Sequence, residues 1–286
     1  MASITGNIQF NTLAGDDSLT VNFSGGNPIP SGGISYAGGD QTTTDKLVLT
    51  GGTTTSVTHS FTNANDGSVT LVGALAGTIS YTGLEPVTDN LSATDRVFTF
   101  TGGAETITVT DDPAAGFTAI DSTLGESVTF ANPTGSLTIN AGSGDDIVTI
   151  TSVDAAFNAS LTINGDGATD SVTLATALSL AAGKNVSVTA DSISVTASIT
   201  TTGAGTITLD ADGASMGDVT INAALVSGSG AITLRADDDV SANASGTITT
   251  TSGAVSVTAD DDADSSGTIT YAAAVNHGSS GSTWVW

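Results

Sequence analysis

The residues best suited to chemistry lie in Ala141-Gly142-Ser143-Gly144-Asp145-Asp146-Ile147-Val148-Thr149. Their spacing follows the pattern G-G-x-G-x-D-x-U-x, with Ala141 in place of the first glycine. Glycine turns of this kind present backbone carbonyls, and the aspartates add carboxylate oxygens, the hard donors that Ca²⁺ takes. A looser copy, Gly165-Asp166-Gly167-Ala168-Thr169-Asp170-Ser171-Val172, follows, with Asp170 placed 24 residues after Asp146. A third, Ala14-Gly15-Asp16-Asp17-Ser18-Leu19, is weaker. The expected calcium ligands are Asp145, Asp146, Asp166 and Asp170. The same aspartates also suit Asx-turns, in which they accept backbone N–H groups at chain corners.

Other catalytic patterns are sparse. The two histidines, His59 and His277, have no basic neighbour in sequence, and no G-x-S-x-G elbow occurs. His59, in Val57-Thr58-His59-Ser60-Phe61, reads as a surface position on an alternating strand, and His277 as part of a C-terminal turn. The chain is therefore not expected to be an enzyme. Triplets such as Thr206-Ile207-Thr208, Thr247-Ile248-Thr249 and Thr268-Ile269-Thr270 place hydroxyl and methyl pairs on one strand face. They suit an ice-binding surface, or simply the β-propensity of threonine on an outward face.

The elements that position these residues are strands. Leu19-Thr20-Val21-Asn22-Phe23, Thr106-Ile107-Thr108-Val109-Thr110 and Val186-Ser187-Val188-Thr189 alternate apolar and small polar residues with period two. Gly-Gly, Asn-Gly, Asp-Gly and Ser-Gly pairs punctuate them, and no helical apolar stripe of useful length appears. Ser136-Leu137-Thr138-Ile139-Asn140 recurs as Ser160-Leu161-Thr162-Ile163-Asn164, 24 residues on. A related unit starts at Val186, Ile207, Ile232 and Val255, at steps of 21, 25 and 23 residues. An acidic residue precedes strand after strand, at Asp17, Asp45, Asp66, Asp95, Glu126, Asp146, Asp170, Asp191, Asp218 and Asp239.

A degenerate period near 24 with two or three short strands fits one coil of a β-solenoid. Propeller blades need longer four-strand repeats, and sandwiches do not repeat in this way. The expectation is an all-β chain, a single right-handed parallel β-helix running continuously over residues 1–286. Residues 1–132 are expected to form irregular coils with longer loops, and 133–286 regular repeats. If Asp146 and Asp170 occupy equivalent corners, their carboxylates stack about 5 Å apart. Two such charges repel by about 1 kcal/mol in water and several-fold more when partly desolvated. Outward splaying, raised carboxyl pKa values or a divalent cation between coils would each relieve that repulsion.

Composition removes several partners. There are 29 acidic residues against four basic ones, Lys46, Arg96, Lys184 and Arg235, for a net charge of −25. No basic patch can form, which excludes nucleic acid and anionic membrane surfaces. No apolar run is long enough to span a bilayer. Without cysteine there is no disulfide framework, thiolate metal site or cysteine nucleophile. The opening residues Met1-Ala2-Ser3-Ile4-Thr5-Gly6 lack a basic or apolar leader. Export by another route, prior removal of a signal, or origin in a longer protein would each be compatible with that.

Ala231-Ile232-Thr233-Leu234-Arg235-Ala236-Asp237 and Ser252-Gly253-Ala254-Val255-Ser256-Val257-Thr258-Ala259-Asp260 resemble the degenerate repeats of filamentous-haemagglutinin-like bacterial adhesins. Segments such as Asn132-Pro133-Thr134-Gly135-Ser136-Leu137-Thr138-Ile139-Asn140 resemble parts of very large repetitive bacterial surface proteins, and the glycine–aspartate turns are calcium-nonapeptide-like. The resemblance implies a right-handed parallel β-helix, an extracellular or cell-surface location and a structural or adhesive role, with no catalytic residue to carry over. Self-association with neighbouring repeats is the expected interaction, with surface glycans a further candidate partner. Ser282-Thr283-Trp284-Val285-Trp286 is expected to cap a coil or dock on a neighbour. The functional alternatives are a polysaccharide-acting β-helix enzyme and an ice-binding solenoid.

Overall fold

The computed structural model describes residues 4–40, 44–213, 217–263, 266–272, 274–277 and 283–285. Among them are thirty strands and no helix. The chain divides into two compact units. One comprises Met1–Thr101, Val109–Ile139 and Val153–Phe157, the other Gly102–Thr108, Asn140–Ser152 and Asn158–Trp286.

In the second unit each coil passes through three parallel sheets in fixed order. Ser160–Asn164, Ser171–Leu174 and Leu178–Ala182 make one coil; Val186–Ala190, Ser192–Val195 and Ile199–Thr202 make the next. Each strand pairs in parallel with its counterpart one coil on. The sequence repeat is this physical register: Val186 pairs Ile207, Ile207 pairs Ile232, and Ile232 pairs Val255. Strand alternation then sorts the residues. Ile163, Val188, Leu209, Leu234 and Val257 stack in one fully buried inward column. Outward positions of the same strands carry Thr162, Ser187, Thr208, Thr233 and Ser256. The architecture is that of a β-solenoid built from parallel strands.

A repeated corner keeps these coils close. Thr201, Ser227 and Thr250 are buried, and their hydroxyls donate to the carbonyls of Gly205, Gly230 and Gly253 at 2.6–2.8 Å. Glycine is required here, since a Cβ on Gly253 would lie 1.9 Å from the Gly230 carbonyl oxygen. Val275–His277 is a strand beside Ile248–Thr250, so His277 ends a strand rather than sitting in the expected turn. Thr283–Val285 pairs with Val255–Thr258, while Ser282 and Trp286 lie outside the described residues.

The first unit mixes pairing directions. Ile8–Asn11, Ile34–Ala37 and Gly77–Thr82 run parallel. Gly67–Val72, however, is antiparallel to both Gly77–Thr82 and Thr53–Phe61, and Phe117–Ser122 is antiparallel to Val128–Ala131. Tight reversals near Gly73 and after Ser122 make hairpins where a longer crossover would be needed to keep strands parallel. Aromatic rings fill this core, with Phe61 stacked on Phe100 and Phe98 tilted against Phe130.

Candidate functional site: acidic corners and a buried charge network

At the corner leading into the second sheet, the backbone N–H of one coil finds no strand carbonyl and uses a side chain. Glu105 N–H donates to Asp146 Oδ1 at 2.7 Å, Asp146 N–H to Asp170 Oδ1 at 2.9 Å, and Asp170 N–H to Asp191 Oδ2 at 2.6 Å. Further along, Asp239 N–H donates to Asp218 and Thr268 N–H to Asp239. In the first unit Asp17 N–H donates to Asp45. These aspartates accept from the neighbouring coil rather than only from their own turn. Elsewhere a neutral amide does the same: Asn185 accepts Thr206 N–H at 2.9 Å, and Asn158 accepts Ala181 N–H at 2.8 Å.

The four expected calcium ligands separate by environment. Asp146 and Asp170 are each 1% exposed, and each keeps a buried second oxygen, Oδ2, without a hydrogen-bond partner. Asp145 and Asp166 are exposed. Asp145 Oδ1 accepts Thr169 N–H at 3.0 Å, and Asp166 occupies a left-handed turn conformation at φ +82°. Burial pushes the Asp146 carboxyl up to about 6, with the charges of Asp170, Glu105 and Asp145 adding and the Glu105 N–H opposing. Burial likewise raises Asp170, with Asp191, Asp145 and Asp166 adding. Asp146 thus lies in the field of Asp170 and Asp145, and Asp170 in that of Asp145 and Asp166. Among the described residues, no three His, Cys, Asp or Glu side chains converge as a preformed metal cage.

A second constellation went unread in the sequence. His59 is fully buried, correcting its assignment to a surface strand position. Thr53–Phe61 lies between Gly67–Val72 and Ser92–Thr99, and its parity turns Val57, His59 and Phe61 inward together. His59 Nε2 lies 3.1 Å from Asp89 Oδ2, which also accepts from Arg96 Nη1. Arg96 is fully buried as well. Its Nε donates to Ala131 O at 2.8 Å and its Nη2 to Leu91 O at 2.5 Å, and its guanidinium lies 5.7 Å from the Phe130 ring centre. His59 stacks on Phe98 at 5.0 Å. Burial lowers the His59 value against the opposing pull of Asp89, so the ring is neutral with Nε2–H toward the carboxylate. Burial alone would raise Asp89, but the Arg96 charge and the hydrogen bonds from His59 and Leu91 outweigh it and hold the carboxyl low. The result is a neutralised buried ion pair with a neutral imidazole as its third member.

Two outcomes follow. Asp89→Ala leaves Arg96 buried without its counter-charge, so urea denaturation should show a loss of about 3–5 kcal/mol. Asp146 gives a pH signature. Its folded value near 6 lies above the ordinary carboxylate value, so its stabilising contribution is full below about pH 4 and lost as pH rises through 6. The interval corresponds to about 3 kcal/mol at most. Melting from pH 7.5 to 4.5 should therefore favour the wild type at the acid end, and Asp146→Asn should remove that part. His59 acts in the opposite sense but cancels between the two proteins. Comparison with protein-family models, with curated proteins and with solved structures finds no match to this chain.

Proposed function

We propose that this chain is an extracellular structural or adhesive solenoid module of a bacterial surface or matrix protein. The observation that carries the reading is the continuous parallel register of the strands from Ser160–Asn164 to Val255–Thr258 in the second unit. It spends the large aliphatic side chains on inward columns and leaves outward faces of Thr, Ser, Asn and Asp. Repetitive, hydroxyl-rich and acidic faces suit a spacer or contact surface exposed to water. Ile8–Asn11 and Ser18–Asn22 are the outermost strands of their sheets among the described residues. Between them Ile8, Phe10, Leu19, Val21 and Ile34 line an apolar cleft of about 150 Å³. Sheet edges of this kind pair with further strands, which supports self-association with a neighbouring repeat.

Calcium is part of the proposal. Asn185 and Asn158 meet the same backbone need without charge, so the carboxylates at the Asp146–Asp170 corner add repulsion that the hydrogen bonds do not require. A cation held by the exposed Asp145 and Asp166 beside Asp146 and Asp170 would offset it.

An antibody to this chain should label intact cells of the source organism; labelling only after lysis would refute the surface role. At low ionic strength, the melting midpoint should be higher in excess calcium than in excess chelator. The Asp145→Asn/Asp166→Asn double variant should lose that difference. Coincident wild-type midpoints would mean that the corner acids serve only as hydrogen-bond acceptors and hold no calcium.

A further inference from the structure

The first unit contains an acidic cavity that neither the corner ladder nor the adhesive reading uses. The hairpin joining Phe117–Ser122 to Val128–Ala131 and the Glu85-Pro86 segment that leads into Val87–Asp89 border an open cavity of about 450 Å³. Glu85, Asp121 and Glu126 line it together with the hydroxyl residues Ser122, Thr123 and Ser127. Among the described residues, no basic or aromatic one lines it. Glu85 is held in place, with its Oε1 accepting from Asn65 Nδ2 at 2.8 Å. Glu126 is 2% exposed, and its Oε2 is buried without a hydrogen-bond partner. An unpartnered buried carboxyl oxygen is costly, and a ligand that donates to it removes the cost.

Three properties narrow the ligand. Its charge must be positive, because the lining offers carboxylates and hydroxyls without a counter-charge. Its shape must be extended. No three carboxylates converge on one point among the described residues, and the volume is many times that of one water, about 30 Å³ in the liquid. Its head group must carry N–H donors, since the lining has no aromatic face of the kind that cages quaternary ammonium. We propose that this cavity binds a primary ammonium on an alkyl chain, with the ammonium seated between Glu85 and Glu126 and the chain running past the hydroxyls. A free alkyl diamine and a lysine side chain share that chemistry.

Proton linkage supports the assignment. The titratable groups around Glu126 are Glu85, Asp121 and Tyr81. Burial pushes the Glu126 carboxyl up to about 8, with Glu85 and Asp121 adding and the Ser127 backbone amide opposing. Burial and the Glu126 charge push Tyr81 well above its ordinary range, so it stays neutral. Near pH 7 the empty cavity therefore holds a protonated Glu126, and an arriving ammonium displaces that proton.

Titration calorimetry with 1,5-diaminopentane and with Nα-acetyl-lysine methylamide tests the proposal at low ionic strength. Saturable binding of either supports it, and the tighter of the two identifies the source. Affinity should improve several-fold from pH 6.5 to 8, with proton release. Glu126→Gln matches the protonated acid in shape and should fold. It should bind at least about tenfold more weakly and lose the pH dependence. Glu85→Gln should weaken binding but keep that dependence. Asp262→Asn makes the same charge change outside the cavity and should bind as wild type does. The proposal fails if neither amine binds saturably or Asp262→Asn weakens binding equally. It also fails if choline or calcium binds this cavity more tightly than both amines.

Discussion

A parallel coil can hold its strands only if each backbone N–H and C=O is met one coil away, and this requirement organises the molecule. Along the strands the register satisfies it without side-chain help. At the corners the chain turns, the next coil's carbonyl is out of line, and a side-chain oxygen replaces it. Leaving such an N–H buried and unmet costs about 1–3 kcal/mol. Two stacked carboxylates in water repel by only about 1 kcal/mol. The hydrogen bond therefore wins where the corner stays hydrated. At Asp146 and Asp170, where water is excluded, the balance is closer, and the carboxyls respond by holding protons more tightly.

Charge is buried in two different ways. Asp89 sits in the core with Arg96 and His59, and its two oxygens accept from Leu91 N–H and from those side chains. Arg96 in turn donates to two backbone carbonyls. That set carries no net charge and locks together strands distant in sequence. Asp146 and Asp170 have no counter-charge of this kind, and each has a buried oxygen left over. The first arrangement is a fastener. The second is responsive, because its protonation follows the surrounding charge.

Much of the fold was legible in the sequence because period-two alternation and a step near 24 are themselves the register. Val186, Ile207, Ile232 and Val255 align in sequence as they pair in space. The hairpins of the first unit were not legible, since Gly73 marks a reversal without stating which strands it will join. His59 was misread through its polarity; its parity with Val57 and Phe61 carried the correct answer. The acids ahead of strands were recognised as corner residues, except that Asp95, placed in that series, lies within the strand Ser92–Thr99. Their acceptance of N–H groups from the neighbouring coil was not legible, because no local pattern encodes a partner 21 or 24 residues away. Glu126 stood in that series, but the fold alone brings it beside Glu85, some forty residues earlier.

The Thr201, Ser227 and Thr250 corners have a consequence for how such a chain can change length. Each hydroxyl closes its own turn within three or four residues, so each coil carries its own fastening. Losing one residue from a strand would invert every later side chain of that strand, driving threonines inward and valines into water. Gaining or losing a whole coil disturbs only one pair of interfaces and recreates an equivalent one. Insertion or deletion of a whole coil would therefore yield folded products of many lengths, whereas single-residue deletions within strands would be purged.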